Sequence, residues 1–220
     1  MKKADYDCEF ELFYQPQFRI SDHHLIGAEA LLRWKSPELG MIPPGEFIPI
    51  AEESDDIILI GEWVMKKAMN QIGQWNLHYG RDLQIGINVS PKQLDAINFI
   101  EEVRSLIQEY DVKPEWLDIE ITESSTMNSA TRMEEILTVL AGIGVSISID
   151  DFGTGYSSLS YIKRFDIDRL KIARELVSQI EHDQIDLQIV QAVVLMAKAM
   201  GLRTIAEGVE TQVQLESCTT

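Results

Sequence analysis

An α/β fold built on a parallel sheet is what this sequence predicts, and three observations predict it. Short apolar runs rich in β-branched residues alternate with amphipathic helical stretches. From Leu83 onward the rhythm is strand then helix, repeated, which calls for parallel strands covered by helices. Polar residues also recur at strand ends, as they do where the carboxyl edge of a sheet carries a site. Seven strands are legible, and a (β/α) barrel fits them best. A doubly wound open sheet is the alternative, but no Gly-x-Gly-x-x-Gly follows the first parallel strand.

Phe10–Ile20 and Leu25–Trp34 read as strands. Ser21-Asp22-His23-His24 between them is too short for a crossover helix, so the two pair antiparallel. Further strands are expected over Leu83–Val89, Leu117–Thr122, Val145–Asp150, Arg169–Ile172 and Thr204–Ala206. Ile57–Tyr79, Phe99–Tyr110, Ala130–Gly142 and Leu187–Met200 carry the 3.6-residue apolar period of helices that bury one face. No low-complexity segment, linker or short repeat interrupts the pattern, so residues 1–220 are expected to form a single domain.

At 220 residues and 45% hydrophobic the chain can bury a sizeable core. No apolar run approaches the roughly 20 residues of a membrane span, and the Met1-Lys2-Lys3 start has no apolar segment behind it. No membrane contact is therefore expected of this domain. Cys8 and Cys218, near opposite ends, make no disulfide framework, and a reducing cytoplasmic setting fits. The formal charge of −17 argues against a domain that coats DNA or RNA polymers, and solubility accounts for most of it. A small phosphate-containing ligand stays compatible, because a metal and a few placed cations make a local positive site on an acidic body.

The chemistry concentrates in Ser146-Ile147-Ser148-Ile149-Asp150-Asp151-Phe152-Gly153-Thr154-Gly155. Two adjacent carboxylates end an alternating apolar strand, and burying them together is costly without a cation. Taken alone, the pair reads equally well as a solvated turn. Its companions decide the matter. Glu29 lies inside an otherwise apolar strand, Glu120 sits in Leu117-Asp118-Ile119-Glu120-Ile121-Thr122, and Asn88, Lys171 and Glu207 close the other strands, whose carboxyl ends a parallel barrel brings to one face. Oxygen donors of this kind suit Mg²⁺ or Mn²⁺ rather than zinc. The four histidines fall in turns or on helix surfaces and read as surface residues. Five carboxylates exceed what one Mg²⁺ takes, whereas two ions about 3.5–4 Å apart sharing a bridging Asp would use them all, as in phosphoester hydrolysis. Lys171 is placed to hold a water or developing phosphorane charge, or to act as counter-ion. Arg33 is a natural phosphate contact or a surface ion pair.

Glu29-Ala30-Leu31-Leu32-Arg33 resembles the signature of the EAL domains, phosphodiesterases of the bacterial second messenger cyclic di-GMP. The likeness continues through Tyr14-Gln15-Pro16, Asn88-Val89-Ser90, Glu120-Ile121-Thr122-Glu123-Ser124, Asp150 to Leu159, Leu170-Lys171-Ile172 and Ala206 to Thr211. These motifs keep the family's order and spacing. The resemblance implies a modified TIM barrel whose first strand runs antiparallel to the rest. It implies hydrolysis of cyclic di-GMP to linear pGpG, dependent on Mg²⁺ or Mn²⁺ and inhibited by Ca²⁺. By motif position, Glu29, Asn88, Glu120 and Asp150 would bind one metal. Asp150 as bridge and Asp151 would bind the second, with Glu207 in support. Lys171 would orient the attacking water, Glu123 would anchor the Asp-Phe-Gly-Thr-Gly loop, and Gln15, Leu32 and Arg33 would contact the ligand. A homodimer and an upstream sensory or GGDEF domain are the partners the resemblance implies.

Two departures follow. Ala173 stands where the family reads Asp after Lys171-Ile172, which is expected to weaken the second metal site. The family also continues into a helix and a closing Gln-Gly-Tyr strand, and that strand is expected to be missing after Thr220. A metal-dependent phosphodiesterase, impaired or not, is thus weighed against a cyclic di-GMP receptor without turnover and an interaction domain with a vestigial site.

Overall fold

The protein is described here by a computed structural model over residues 4–124, 130–154 and 162–218. Its packing separates two units. One comprises Met1–Arg19, His23–Ile119 and Ile143–Val145, the other Ile20–Asp22, Glu120–Gly142 and Ser146–Thr220. The elements, in chain order, are α1 (Tyr6–Glu9), β1 (Phe10–Phe18), β2 (Leu25–Ser36), β3 (Gly40–Ile42), α2 (Pro44–Glu53), α3 (Asp56–Tyr79), β4 (Gln84–Asn88), α4 (Pro91–Leu94) and α5 (Phe99–Glu109). They continue as β5 (Leu117–Thr122), α6 (Ala130–Ile143), β6 (Ser146–Phe152), β7 (Arg169–Ile172), α7 (Arg174–Gln179), α8 (Gln184–Ala199), β8 (Arg203–Ala206) and α9 (Gln212–Ser217).

In the first unit β1 and β2 pair antiparallel from Phe10↔Trp34 to Gln17↔Gly27, and β4 joins β2 in parallel. The antiparallel first strand expected from the short Ser21–His24 connection is therefore present. Alternation sorts the side chains of this ladder onto two faces. Phe10, Tyr14 and Trp34 lie on one, where Phe10 stacks on Trp34 and meets Phe47 of α2 and Trp63 of α3, and Tyr14 meets Trp75 of α3. Glu11, Phe13, Gln15, Glu29, Leu31 and Arg33 occupy the other.

Helix α3 owes its length to an apolar stripe, Ile57, Ile60, Val64, Met65, Ala68, Met69 and Ile72, spaced three and four apart and buried. Buried Asn76 closes its end: the amide donates to the Leu83 carbonyl and accepts from the Leu83 N–H, both at 2.8 Å. That pair sets where β4 begins. Three elements escape the hydrophobic period. Strand β3 is three residues long, and α2 starts at Pro44 and contains Pro49. Helix α4 is a four-residue turn held by a Ser90–Gln93 capping box.

In the second unit β6, β7 and β8 are parallel neighbours. All four residues of β7 are buried. Helix α8 begins under Asp183, whose carboxylate accepts from the N–H groups of Ile185 and Asp186, and buries Val190, Val193 and Ala197. No helix among the described residues is long and apolar enough to cross a membrane.

Candidate active site

In the second unit the site is organised by Lys171. Strand β7 lies between β6 and β8 in the sheet, and its Lys171 is fully buried. A buried ammonium needs counter-charge. It receives three: Glu120 Oε2 at 2.6 Å, Glu207 Oε1 at 2.8 Å and Asp150 Oδ2 at 3.2 Å. Glu120 comes from β5 and is itself fully buried. Glu207 follows β8 directly, and its N–H donates to the Ile172 carbonyl at 3.1 Å, fixing the residue beside β7.

Asp150 and Asp151 owe their placement to an irregularity in β6. Its register against β7 runs Ile149↔Leu170 and then Phe152↔Ile172, so β6 carries one residue more than its partner across this interval. Such a bulge breaks alternation and re-aims side chains. Asp151 takes up the extra residue with a left-handed φ of 54°, a conformation Asp tolerates better than most. Asp151 N–H donates to Asp150 Oδ1 at 2.9 Å, and the Thr154 hydroxyl donates to the Asp151 carbonyl at 2.9 Å. Gly153 follows at φ 98°, and a Cβ there would sit 2.5 Å from Leu176 Cδ1. Its N–H donates to Glu123 Oε2 at 2.8 Å, a bond between the Asp-Phe-Gly-Thr turn and the residue that follows β5. The remainder of that motif, residues 155–159, lies outside the described residues.

Asp150, Asp151 and Glu207 each offer a carboxylate oxygen within 4.8 Å of the others. With Glu120 they set four carboxylates against one ammonium, a formal excess of three negative charges. Asp150, Asp151 and Glu207 could together hold a metal ion. The donors are all oxygen, which suits a hard divalent ion. Asp151 is exposed, giving such an ion a way in.

In the first unit Glu29 Oε1 accepts from Asn88 Nδ2 at 2.7 Å. Glu29 is not at the end of β2 but at its fifth residue, because β2 runs on to Ser36 to pair with β1 and β3. Against its parallel neighbour Glu29 does stand near the carboxyl edge, opposite Gly86 and two residues short of the end of β4. Gln15 is its register partner on β1. Arg33 lies on the same face, its guanidinium carbon 5.5 Å from the centre of the Phe13 ring and its Nη1 donating to the Leu32 carbonyl at 2.9 Å. Leu32 does not join them. Strand alternation turns it to the face of Trp34, toward α2, and it is Leu31 that shares the face of Glu29. Counting alternate residues from Glu29 selects Leu31, and the same count across the hairpin selects Phe13.

The sequence model of the EAL domain matches residues 3–219. The chain belongs to the EAL-domain family. Among EAL-domain relatives, the bifunctional diguanylate cyclase/cyclic di-GMP phosphodiesterase MucR of Pseudomonas aeruginosa is 42% identical over 208 residues, covering 94% of this chain and 30% of MucR. The cyclic di-GMP phosphodiesterase PdeR of Escherichia coli is 35% identical over 211 residues, 96% of this chain and 32% of PdeR. A solved structure of PaMucR phosphodiesterase in complex with c-di-GMP superposes with a TM-score of 0.93 at 41% identity, covering 99% of this chain and 88% of that one. The fold is therefore that of an EAL domain, a mixed α/β architecture related to the TIM barrel. The chain spans about a third of the length of the curated relatives it matches.

Proposed function

We propose that this chain hydrolyses cyclic di-GMP to linear pGpG with the help of Mg²⁺ or Mn²⁺. The observation that carries the reading is the Lys171 cluster: one buried ammonium among Glu120, Asp150 and Glu207, with Asp151 beside it, in a chain of the EAL family. Asp150, Asp151, Glu120 and Glu207 are proposed metal ligands on chemistry and position, Glu29 and Asn88 on their motifs. Divalent ions bound by such carboxylates supply Lewis acidity toward phosphoryl oxygens and lower the pKa of water, and a two-ion arrangement is proposed.

The chain's own contribution is positioning and charge. Lys171 holds three carboxylates at fixed separations, and its positive charge would stabilise the attacking water and the developing phosphorane charge. That water's oxygen forms the new bond to phosphorus, the bond from phosphorus to a ribose 3′ oxygen breaks, and the leaving oxygen takes up a proton. Arg33 would meet phosphate charge, and Gln15, the register partner of Glu29, would offer an amide. The Glu123–Gly153 bond keeps the turn after Asp151 in place.

A second reading, binding without turnover, is favoured by one observation. Ala173 is fully buried two residues after Lys171, where the family pattern supplies a carboxylate. The test follows pGpG by chromatography after incubation with cyclic di-GMP and Mn²⁺, beside Glu29→Ala. Release of pGpG by the wild type and its loss in the variant support hydrolysis. Saturable binding by calorimetry without any pGpG supports the receptor, and neither binding nor product rejects both.

A further inference from the structure

We infer that Phe13 is a stacking platform for a guanine base of the ligand, with Arg33 holding its ring in place. The inference rests on the proposed activity and adds a specificity residue to it. Its basis is the contrast between the two faces of the β1–β2 ladder. On the face turned to α2 and α3 the aromatic residues are packed, and Phe10 is only 5% exposed. Phe13, on the opposite face, is 49% exposed despite the Arg33 guanidinium lying over its ring. An aromatic ring left half open on a strand face that also carries Gln15, Glu29 and Arg33 is not serving the core.

Register fixes its distance from the polar end of that face. Phe13 pairs with Leu31, and Gln15 pairs with Glu29, so Phe13 and Glu29 are diagonal neighbours on one face, about 7–8 Å apart at the backbone. A nucleotide with its phosphate toward Glu29 and its base toward Phe13 follows that line. The Arg33 cation restrains the ring and offers a planar fork toward phosphate or the guanine edge. Base–aromatic stacking needs only a π-face, so the platform adds affinity, and the arginine fork favours guanine over the other bases.

The experiment compares wild type with Phe13→Leu, which keeps apolar volume without a ring face, and Phe13→Tyr, which keeps the ring. Steady-state kinetics with cyclic di-GMP and Mn²⁺ are read beside thermal melts, or calorimetric Kd values if turnover is slow. Phe13→Leu is expected to raise KM or Kd about 5- to 150-fold with kcat changed little, while Phe13→Tyr stays near wild type. An unchanged KM in Phe13→Leu, a loss confined to kcat, or a Phe13→Tyr variant as weak as Phe13→Leu at equal melting temperature overturns the platform while leaving the phosphodiesterase reading intact. Wild-type protein that neither binds nor cleaves cyclic di-GMP overturns both.

Discussion

Lys171 and Glu120 meet at 2.6 Å with neither side chain reaching solvent. A pair of this kind is expensive to break, because removing one partner strands the other charge in a low-dielectric site. Lys171→Met is expected to destabilise the protein by about 3–5 kcal/mol when metal is chelated. Saturating Mn²⁺ should recover part of that loss, since a cation replaces the missing positive charge. The wild type should also gain about 2.7 kcal/mol at a hundredfold excess of Mn²⁺ over its Kd. Thermal unfolding of both proteins in EDTA and in Mn²⁺ measures this. Equal melting temperatures in the two buffers would remove the metal from the cluster.

Strand β4 leaves no room for a side chain at Gly27 of β2. A Cβ built there lies 2.4 Å from the carbonyl oxygen of Gln84, its register partner. That neighbour is backbone and cannot swing aside. Gly27→Ala is therefore expected to cost about 1–3 kcal/mol and to loosen the strand two residues before Glu29. Urea denaturation gives the stability change, and a loss of pGpG formation beyond the unfolded fraction would show that Glu29 has shifted.

What the sequence made legible divides along physical lines. Elements with a long apolar period were readable: α3 and α5 differ from their expected limits by a residue at an end, and β5 and β7 match theirs. Elements fixed by caps, prolines or pairing rather than periodicity were not, which is why α1, β3, α2, α4, α7 and α9 were missed. In the site, the acids and Lys171 were visible because charge in an apolar strand is anomalous whatever the backbone does. Leu32 lies on the face opposite Glu29, because a motif names neighbours whereas a strand alternates them, and the bulge at Asp150–Asp151 left no mark in residue types. The Lys171–Glu207 contact joins residues 36 positions apart and needed the β7–β8 register to appear.

Glu102 supplies a pH prediction away from the site. On α5, one of its carboxylate oxygens is buried without a hydrogen-bond partner. Burial, and then the charge of Glu62, raise its pKa above the usual carboxyl range, and Lys66 only partly offsets this. Folding therefore favours the protonated form. Below the unfolded-state pKa both states are protonated and nothing is lost. As pH rises through the raised folded-state pKa, stability falls, because the unfolded chain ionises more readily. Glu102→Gln should thus melt higher than wild type at pH 7 and no higher at pH 4. A difference that does not vary with pH would mean that the amide acts through packing instead.

Ala173 joins cap energetics to metal chemistry. It is the N-cap of α7, with φ −57° and ψ 142°, and it supplies no side-chain bond to the first turn. Its carbonyl already accepts from the N–H groups of Leu176 and Val177 at 3.1 and 3.2 Å, so the helix start is set and lacks only the cap. An Asp in place of Ala at such a position contributes about 0.5–2 kcal/mol through a bond to a free N–H. The same carboxylate would be buried two residues from Lys171, where carboxylates already outnumber the ammonium, and desolvation opposes it. The two effects separate when the cation is varied. In EDTA, Ala173→Asp is expected to leave the melting temperature unchanged or lower it, because the added charge offsets the cap. In Mn²⁺ it is expected to raise the melting temperature and to increase pGpG formation at least about tenfold, as one transition-state contact of roughly 1.4 kcal/mol would. A gain of the same size in both buffers, with turnover unmoved, would reduce residue 173 to a helix cap and exclude it from the ion.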